Sequence, residues 1–599
     1  MNTNIKLIGG AIVALFMIGG GQALALQPTE KDYNLKLLGK YLFFDNLSNP
    51  EKQSCSSCHT PSEGWTGGDS KTNQTTVAVR GANGSIGNHR PPTNAYASLV
   101  HKFEILCTHN TDNKPSTRPC GGNFWNGRAL GNSADSIEAN LKTNPTNLAL
   151  LGPDRDAVES VAGLWHEGNG LQIFGTPDQE TWIKYLGATA DQAHASPFLN
   201  QVEQGLKDKA AVCDLVKKKS YAALYQQVWG EPLNCTGVPF DAVNITFARF
   251  AVALAAYQQS KDVNAFDSKR DRALRADHDG KFPLDGFTDQ ENLGHDLFYN
   301  TNKLSGLVNP TIVPTLKTLT PGSPSLKEDT AFNTDAQAIK VYPNLPVTNC
   351  TTCHSLTGKN DPAFANAGSL AAIGPSLGIN PKELYTDQSY HNIGSPHNHE
   401  VPGSHDPSDP TIIQLANLTG FDGKITDTNP KGINHQGMVK APSLRNVGKR
   451  SSSRFVKAYG HNGWFKSLPS MVSFYNTSSN RGDKINPITS KPNPNYLADA
   501  PHTCTQTDGG ADGIATEKEA LANNCWPIAE NDGGTSRKMG GDGLTGDIGM
   551  NAEQEAALVA YLNTLSDIPT PRAPKRFDLK SFNKGEVEVE GEVEVEVQD

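Results

Sequence analysis

Apolar residues recur at helical spacing in two long segments of the chain, whereas strand-like alternation is rare and short. In DAVNITFARFAVALAAYQQ, residues 241–259, apolar side chains cover most of the surface that a helix would present, which predicts a largely buried helix. In NAEQEAALVAYLNTLSD, residues 551–567, Asn551 followed by Gln554 three positions later is typical of a helix start. These patterns predict a mainly α-helical protein.

A shorter pattern, L-G-x-x-L-F-(F/Y), occurs twice, beginning at Leu38 and at Leu293. Each copy is followed by a C-x-x-C-H pentad, at residues 55–59 and 350–354, and the second copy has a longer intervening loop. The repeat predicts an internal duplication in which a helix, a loop and a pentad occur once in each of two domains. The length of 599 residues is sufficient for two hydrophobic cores.

The first residues carry the pattern of an export signal. Lys6 precedes the apolar run LIGGAIVALFMIGGG, and the small residues Ala23 to Ala25 provide a cleavage site. We therefore expect residues 1–25 to be a cleaved signal peptide and the mature protein to be periplasmic. The alternative is an uncleaved membrane anchor. No later apolar run is long enough to span a bilayer, so we expect no transmembrane segment after cleavage.

Ten cysteines fit an exported protein, because disulfides persist in oxidising compartments. Four of them belong to the pentads, and the other six form three local pairs in polar stretches. Proximity along the chain is the only basis for pairing them, since the number of cysteines does not fix the connectivity. The predicted disulfides are Cys107–Cys120, Cys213–Cys235 and Cys504–Cys525.

The formal net charge of −10 comes mostly from the C-terminal end of the chain. The residues from Glu586 to Asp599 include seven acids and no base. The rest of the chain has no basic cluster, so we expect no nucleic-acid binding. The low-complexity tail, residues 576–599, alternates Glu and Val in part, and like charges on one face of a strand would repel each other. We expect it to be disordered in isolation; docking on a sheet edge or a basic partner is the alternative.

The C-x-x-C-H pentads carry the strongest chemical signal in the chain. Two thiols at this spacing add to the vinyl groups of haem, and the adjacent histidine supplies the proximal ligand to iron. A redox dithiol and a four-cysteine zinc site are the alternatives. The paired histidines, the export signal and the repeated upstream helix favour two covalently bound c-type haems. The candidate haem-binding residues are Cys55, Cys58, His59, Cys350, Cys353 and His354.

A series of short motifs around the pentads is shared with one known family. In chain order the motifs are LGKYLFFD, CSSCH, RPPTNAYAS, FWNGRAL, QAHASPFLNQVE, LGHDLF, CTTCH, YHNIGSP, APSLRNV, GHNGWFKSLPSMVSFYN and LVAYLNTLSD. In this order the chain resembles the bacterial di-haem cytochrome c peroxidases and MauG-like enzymes, from about residue 35 to 568. The resemblance implies a mainly α fold with two cytochrome c-like haem domains, which we place at residues 26–285 and 286–575. Long irregular loops and insertions would separate their helices.

The resemblance also implies roles for three side chains. Trp125, in the F-W-x-G-R motif, would lie between the two haems and relay electrons. Glu203 would carry a proton between the two oxygens of peroxide at the first haem, as a general acid–base. Gln192 would lie beside it, although it is one residue further from Pro197 than in the family pattern.

The two haems are expected to differ in their sixth ligands. Family members that need reductive activation carry a histidine about seven residues before the arginine of the R…PT motif. No histidine lies at that distance before Arg90, and His89 is adjacent to it instead, so we expect the first haem to be open. For the second haem the family ligand lies fourteen positions after the histidine of the H-x-G motif. Counting from His461 reaches Tyr475, and Met471, on the same helical face, is the alternative.

Two further stretches have features that the family pattern does not explain. Pro91 replaces the Asn that often follows the motif arginine and helps to bind an interdomain calcium, so calcium is doubtful here. The stretch YHNIGSPHNHEVPGSH holds four histidines, which we interpret as a polar surface loop in preference to a metal site.

Together, these residues and the resemblance predict a periplasmic di-haem oxidoreductase that reacts with hydrogen peroxide at the His59 haem. Oxidising equivalents would then pass through Trp125 to the His354 haem. A small exported cytochrome c or copper protein is the expected electron donor. One alternative is MauG-like oxidation of aromatic residues in a partner protein. The other is a non-enzymatic di-haem electron carrier with strong ligands on both irons.

Overall fold

The structure is a computed structural model of the chain. It describes residues 28–76, 81–103, 119–127, 129–131, 184–194, 197–236, 242–276, 284–299, 346, 348, 350–355, 383–401, 437–479, 481–485, 490–493, 496–509, 513–530 and 546–578. The predicted signal peptide, most of the loop before the second pentad and the Glu/Val repeat of the tail lie outside these residues.

Helices dominate the described residues, which confirms the predicted fold class. The α-helices are α1 (Pro28–Phe44), α2 (Cys55–Cys58), α3 (Ser70–Gln74), α4 (Ala188–His194), α5 (Lys209–Lys217), α6 (Ala222–Trp229), α7 (Ala242–Gln258), α8 (Lys269–Ala276), α9 (Asp289–Tyr299), α10 (Thr351–His354), α11 (Leu468–Thr477), α12 (Gln506–Gly509), α13 (Glu517–Ala522) and α14 (Ala552–Asn563). Short 3-10 helices cover Pro61–Glu63 and Ala97–Leu99.

The strands within the described residues are short and form two small sheets. Strand β1 (Tyr390–His391) pairs antiparallel with β2 (Val439–Lys440), and β3 (His502–Thr503) pairs parallel with β4 (Cys525–Trp526). Each strand pair links two loops by backbone hydrogen bonds, and neither sheet forms a layer of a hydrophobic core.

Both helices predicted from periodicity are confirmed. Helix α7 is buried over most of its surface, as its apolar composition requires. Helix α14 begins at a capping box: the Asn551 side chain accepts from the Gln554 N–H, and the Gln554 side chain accepts from the Asn551 N–H, both at 2.9 Å. The two bonds satisfy backbone donors that the first helical turn leaves free.

The first repeated unit is built on a close contact between α1 and α7. At Gly39, in the L-G-x-x-L-F motif, a Cβ atom would lie 1.9 Å from the carbonyl oxygen of Ala253 and 2.9 Å from the Cβ of Tyr257. Such distances are far below van der Waals contact. Glycine is therefore what allows the two helices to pack this closely.

The second repeated unit makes the same contact between α9 and α14. A Cβ atom at Gly294 would lie 2.0 Å from the carbonyl oxygen of Ala557 and 2.7 Å from the Cβ of Tyr561. The two partner helices share a short motif, ALAAY in α7 and ALVAY in α14. The duplication therefore includes a second helix in each unit, beyond the one that precedes the pentad.

Each helix pair contributes to its own hydrophobic cluster. The first cluster joins α1, α4, α5, α6 and α7, with fully buried residues such as Leu38, Leu42 and Phe250. The second joins α9, α11 and α14 to the segment around β4, through residues such as Leu297 and Phe474. The two helix pairs thus lie in different hydrophobic clusters, and the two domains with their boundary between residues 285 and 286 stay a prediction.

A buried ion pair joins α8 to the loop that follows β2. Arg445 donates to both carboxylate oxygens of Asp271, at 2.7 and 3.1 Å, and both residues are almost fully buried. Burial alone would raise the pKa of Asp271, but the guanidinium of Arg445 holds it at about 2. Removing one partner of such a pair leaves a buried charge uncompensated, which typically costs about 3–5 kcal/mol.

Two predicted disulfides are confirmed, Cys213–Cys235 and Cys504–Cys525. Cys120 is also disulfide-bonded, but Cys107 lies outside the described residues, so that pairing stays a prediction. Within the described part of the chain, no helix has both the length and the apolar character that crossing a membrane requires.

Replacing Gly39 or Gly294 with alanine should destabilise the protein, because the added methyl group would force the helix pair apart. We expect each variant to lose roughly 1–3 kcal/mol of unfolding free energy, the usual cost of overpacking. Lys36→Ala, at a partly exposed position of α1, is the control and should change that energy by about 0.5 kcal/mol or less. Denaturant unfolding measures all three, and unchanged stability in both glycine variants would contradict the close packing.

Candidate active site

The first four residues of the first pentad form the single turn of α2, Cys55–Cys58, and His59 follows the helix directly. Its Nδ1 donates a hydrogen bond to the carbonyl oxygen of Trp65 at 3.3 Å, which leaves Nε2 for a metal. Burial lowers the pKa of His59 to about 4. The imidazole is therefore neutral at physiological pH, as a metal ligand must be.

The second pentad has the same arrangement around α10. The Nδ1 of His354 donates to the carbonyl oxygen of Tyr385 at 3.2 Å. Burial again lowers the pKa of the histidine to about 4. Both predicted proximal ligands thus present Nε2 as the nitrogen that remains for iron.

The two supporting carbonyls belong to bulky residues with left-handed backbones. Trp65 has φ 63° and Tyr385 has φ 55°, a conformation that costs such residues roughly 1–3 kcal/mol. Each carbonyl also accepts a backbone N–H, from Asn94 at 3.2 Å and from Leu444 at 3.3 Å. The RPPTN and APSLRN segments therefore occupy corresponding places beside the two histidines.

The four pentad cysteines are unpaired thiols, in contrast to the disulfides elsewhere in the described chain. Burial raises the pKa of Cys55 and Cys58 to about 12 and that of Cys350 to about 11. A redox dithiol needs a readily formed thiolate, so this environment argues against that alternative. The two cysteine pairs also do not meet in one cluster, which argues against a four-cysteine zinc site.

Each pentad lines a large cavity. The two cavities have empty volumes of about 1410 and 1420 Å³, which include space open to solvent. The first is lined by Cys55, Cys58 and His59, and the second by Cys350, Cys353 and His354.

The structure brings Glu203 and Gln192 together in the first cavity. Gln192 lies on α4, and Glu203 lies in a turn whose Phe198 packs edge-on against Phe247 of α7 at 5.7 Å between ring centroids. The turn is closed by backbone hydrogen bonds, including one from Glu203 N–H to the Asn200 carbonyl at 3.0 Å. The carboxylate is therefore held by the protein beside the pentad.

The first cavity also contains His89, a residue that sequence reasoning set aside. It lies in the wall with Arg90, and its Nδ1 is 2.9 Å from the Asn88 side-chain oxygen. The position seven residues before Arg90 is Asn83, which donates to the Gln201 side chain at 2.9 Å in an exposed turn. The only feature of the sequence that indicated a role for His89 was its position next to Arg90 of the R…PT motif.

Trp125 lines both cavities. Its indole Nε1 donates to the Arg90 carbonyl at 2.7 Å, and its own carbonyl accepts the Lys440 N–H at 2.9 Å. The Arg90 guanidinium carbon lies 5.5 Å from the centre of the indole ring. Contacts from both halves of the sequence therefore fix the indole in the wall between the cavities.

Tyr475 and Met471 both line the second cavity, one turn apart on α11. The helix starts at Ser467, whose side chain accepts the Ser470 N–H. Burial raises the pKa of Tyr475, so without a metal the side chain is a neutral phenol. Helix α11 can thus present either predicted ligand to the space beside His354.

His391 lies against the second pentad and not on the surface, so our surface-loop interpretation is wrong for this residue. It is 7% exposed, and its Nδ1 lies 3.7 Å from the Cys353 sulfur. Its Nε2 donates to the Asp387 carboxylate at 3.0 Å. Burial would lower the pKa of His391, but the nearby Cys353 and Asp387 raise it to about 10. The count of histidines in the stretch could not show which one is buried.

Comparison with known proteins agrees with this geometry. Residues 34–279 match the family model described as di-haem cytochrome c peroxidase. The chain is 25% identical over 498 residues to the methylamine utilization protein MauG of Paracoccus denitrificans (strain Pd 1222), covering 82% of this chain and 86% of that protein. Residues 34–279 therefore match the di-haem cytochrome c peroxidase family, and most of the chain is similar to MauG.

Two solved structures also align with the chain. The diheme peroxidase BthA from Burkholderia thailandensis E264 is 19% identical, with a TM-score of 0.49, covering 92% of this chain and 93% of that one. A MauG-like protein associated with microbial copper homeostasis is 18% identical, with a TM-score of 0.40 and 89% of each chain covered.

Similarity to the di-haem cytochrome c peroxidases implies two c-type haems, and the residues present fit them. Each cavity has two unpaired thiols and a neutral histidine whose Nδ1 is already hydrogen-bonded. Thioether bonds from the cysteines would hold each haem, and His59 and His354 would supply the proximal nitrogen.

Replacing both cysteines of either pentad with serine should leave one covalent haem in place of two, because no thiol remains to form the thioether bonds at that site. The double variant Cys213→Ser/Cys235→Ser, which removes a disulfide whose cysteines line neither cavity, is the control and should keep both haems. Mass spectrometry of the denatured protein counts them. Two haems on a pentad variant would exclude that pentad as an attachment site.

Proposed function

We propose that this protein is a periplasmic di-haem oxidoreductase that reacts with hydrogen peroxide at the first cavity and shares electrons with the second. The wall between the cavities is the observation that carries the proposal. Trp125 lines both cavities, whereas Glu203 and Gln192 line the first and not the second. The first cavity therefore has a carboxylate for acid–base chemistry, and the oxidisable indole of Trp125 lines both cavities.

The residues of the first cavity suit the proton transfers of peroxide reduction. A haem iron with an open coordination position supplies the site at which peroxide can react. Glu203 accepts the proton of one peroxide oxygen and returns it to the other, which then leaves as water. The amide of Gln192 orients the peroxide by hydrogen bonding. Two electrons and two further protons complete the conversion of peroxide to water.

Trp125 is positioned to pass electrons between the two cavities. Its Nε1–H is already bonded to the Arg90 carbonyl at 2.7 Å, and a carbonyl does not take up this proton. Loss of an electron therefore leaves the indole protonated and able to regain the electron directly. Arg90 above the ring opposes the positive charge, which keeps the oxidised indole short-lived.

The source of the electrons separates two versions of this function. In the first, a small exported cytochrome c or copper protein donates them. In the second, they come from aromatic residues of a partner protein, and the presence of Tyr475 in the second cavity favours this MauG-like version. Consumption of reduced cytochrome c by peroxide supports the first, and a mass change in a partner protein supports the second.

Glu203→Gln should slow the reaction with peroxide by about 100-fold or more, because the amide cannot accept and return the proton. Both haems should remain attached, as counted by mass. Glu51→Gln, which alters an exposed carboxylate paired with Lys219, is the control and should react at the normal rate. Stopped-flow absorbance with peroxide in excess measures the rate. A normal rate in Glu203→Gln would remove its acid–base role.

Trp125→Phe should uncouple the two sites, since phenylalanine is much harder to oxidise than tryptophan. After one equivalent of peroxide, optical changes at the first site should keep their rate and those at the second should lag behind. Trp229→Phe is the matched control, because Trp229 also lies under an arginine, Arg249, but lines neither cavity. Simultaneous changes at both sites in Trp125→Phe would show that electrons do not need the indole.

A further inference from the structure

The walls of the two cavities differ sharply in charge. The first is lined by one carboxylate, Glu203, and one guanidinium, Arg90. Among the described residues, the second is lined by Arg90, Lys440, Arg445 and Lys457 and by no carboxylate. Arg445 is neutralised by its bonds to Asp271. Within the described part of the chain, the other three side chains, Arg90, Lys440 and Lys457, therefore have no carboxylate bonded to them.

Each of these three cations is bonded to neutral oxygens alone. Arg90 donates to the Gly460 carbonyl at 2.9 Å and to the Thr66 hydroxyl at 2.7 Å. The Lys440 ammonium donates to the Gly122 carbonyl and to the Asn123 side-chain oxygen.

The Lys457 ammonium donates to the carbonyls of Asn446 at 2.8 Å and Lys449 at 3.0 Å. Lys457 is 5% exposed and Arg90 8% exposed, so water compensates them poorly.

Burial without a bonded carboxylate changes the pKa values of Arg90, Lys440 and Lys457. Burial lowers the pKa of Arg90 to about 10 and that of Lys440 to about 7. Burial also lowers the pKa of Lys457 well below its usual value, and Glu63 nearby only partly opposes this. A charged group without a counter-ion is costly to bury. An anion bound in the second cavity would supply the missing counter-charge.

We infer that Arg90, Lys440 and Lys457 form an anion-binding wall that receives the carboxylates of the haem attached at Cys350 and Cys353. A c-type haem carries two carboxylates and keeps them when its vinyl groups react with the cysteines. This inference rests on the second haem of the proposed function and is independent of the reaction with peroxide. It assigns the three side chains as positioning residues that also tune the second haem electrostatically.

A change of charge at this wall should alter the reduction potential of the second haem. Lys440→Met and Lys457→Met each remove a positive charge near the haem, which disfavours the gain of an electron. We expect the midpoint potential of the His354 haem to fall in both variants, while that of the His59 haem stays close to wild type. The bending band of the haem carboxylates in resonance Raman spectra should shift in the same variants.

Two controls separate charge from packing. Lys440→Arg keeps the cation and should retain a potential close to wild type. Lys466→Met removes a partly buried lysine that donates to the Gly463 carbonyl and lines neither cavity, so it should change neither haem. Anaerobic spectroelectrochemical titration without peroxide measures the potentials, and mass spectrometry verifies that both haems are attached.

The outcomes are decisive in either direction. A fall confined to the His354 haem in the two methionine variants supports the anion-binding wall. Unchanged potentials in both variants would overturn it, as would an equal fall in Lys440→Arg or a fall confined to the His59 haem. If one methionine variant fails to retain two haems, the other decides. Loss of peroxide reactivity with the expected potentials would count against the proposed function alone.

Discussion

The chemistry proposed for this protein depends on two half-buried imidazoles that each keep one nitrogen free for iron. The other nitrogen must have a partner inside the protein, and at both sites it donates to a backbone carbonyl, from Trp65 or Tyr385. Both carbonyls are presented by a left-handed backbone, an unfavourable conformation that packing must hold. Phe43 packs against Trp65 and Phe298 against Tyr385, each at 5.7 Å between ring centroids.

That packing explains why L-G-x-x-L-F recurs in the sequence. The glycine of each motif lets its helix approach a partner helix, and the last phenylalanine reaches the residue whose carbonyl orients the histidine. The partner helix adds a tyrosine to the same cluster: Tyr257 lies 6.4 Å from Trp65 between ring centroids, and the Tyr561 hydroxyl lies 2.9 Å from that of Tyr385. The repeated motif thus supports the histidine that would be the proximal ligand at each site.

The remaining side chains that line the two cavities differ between the two sites. The first cavity is lined by the Glu203 carboxylate and the Gln192 amide. Among the described residues, the second is lined by cationic side chains without bonded carboxylates, and by both Met471 and Tyr475 of α11. The two pentads would attach the same cofactor in the same way, but different side chains line the two cavities. These side chains would give the two haems different roles, because the axial ligand, nearby charge and burial set the chemistry of a haem. Arg90 and Trp125 line both cavities, so a change there affects both sites together.

The sequence by itself determined the local features: the helix periodicity, the Asn551 cap, the pentads, and the disulfides Cys213–Cys235 and Cys504–Cys525, all of which depend on residues close along the chain. Family resemblance named Glu203, Gln192, Trp125 and Tyr475 as site residues. Only the tertiary structure decided that His89 lines the first cavity, that His391 is buried against Cys353, and that Lys440 and Lys457 converge with Arg90. The reason is physical: burial and charge balance arise from segments that are tens to hundreds of residues apart, and no local sequence pattern shows which of these segments meet.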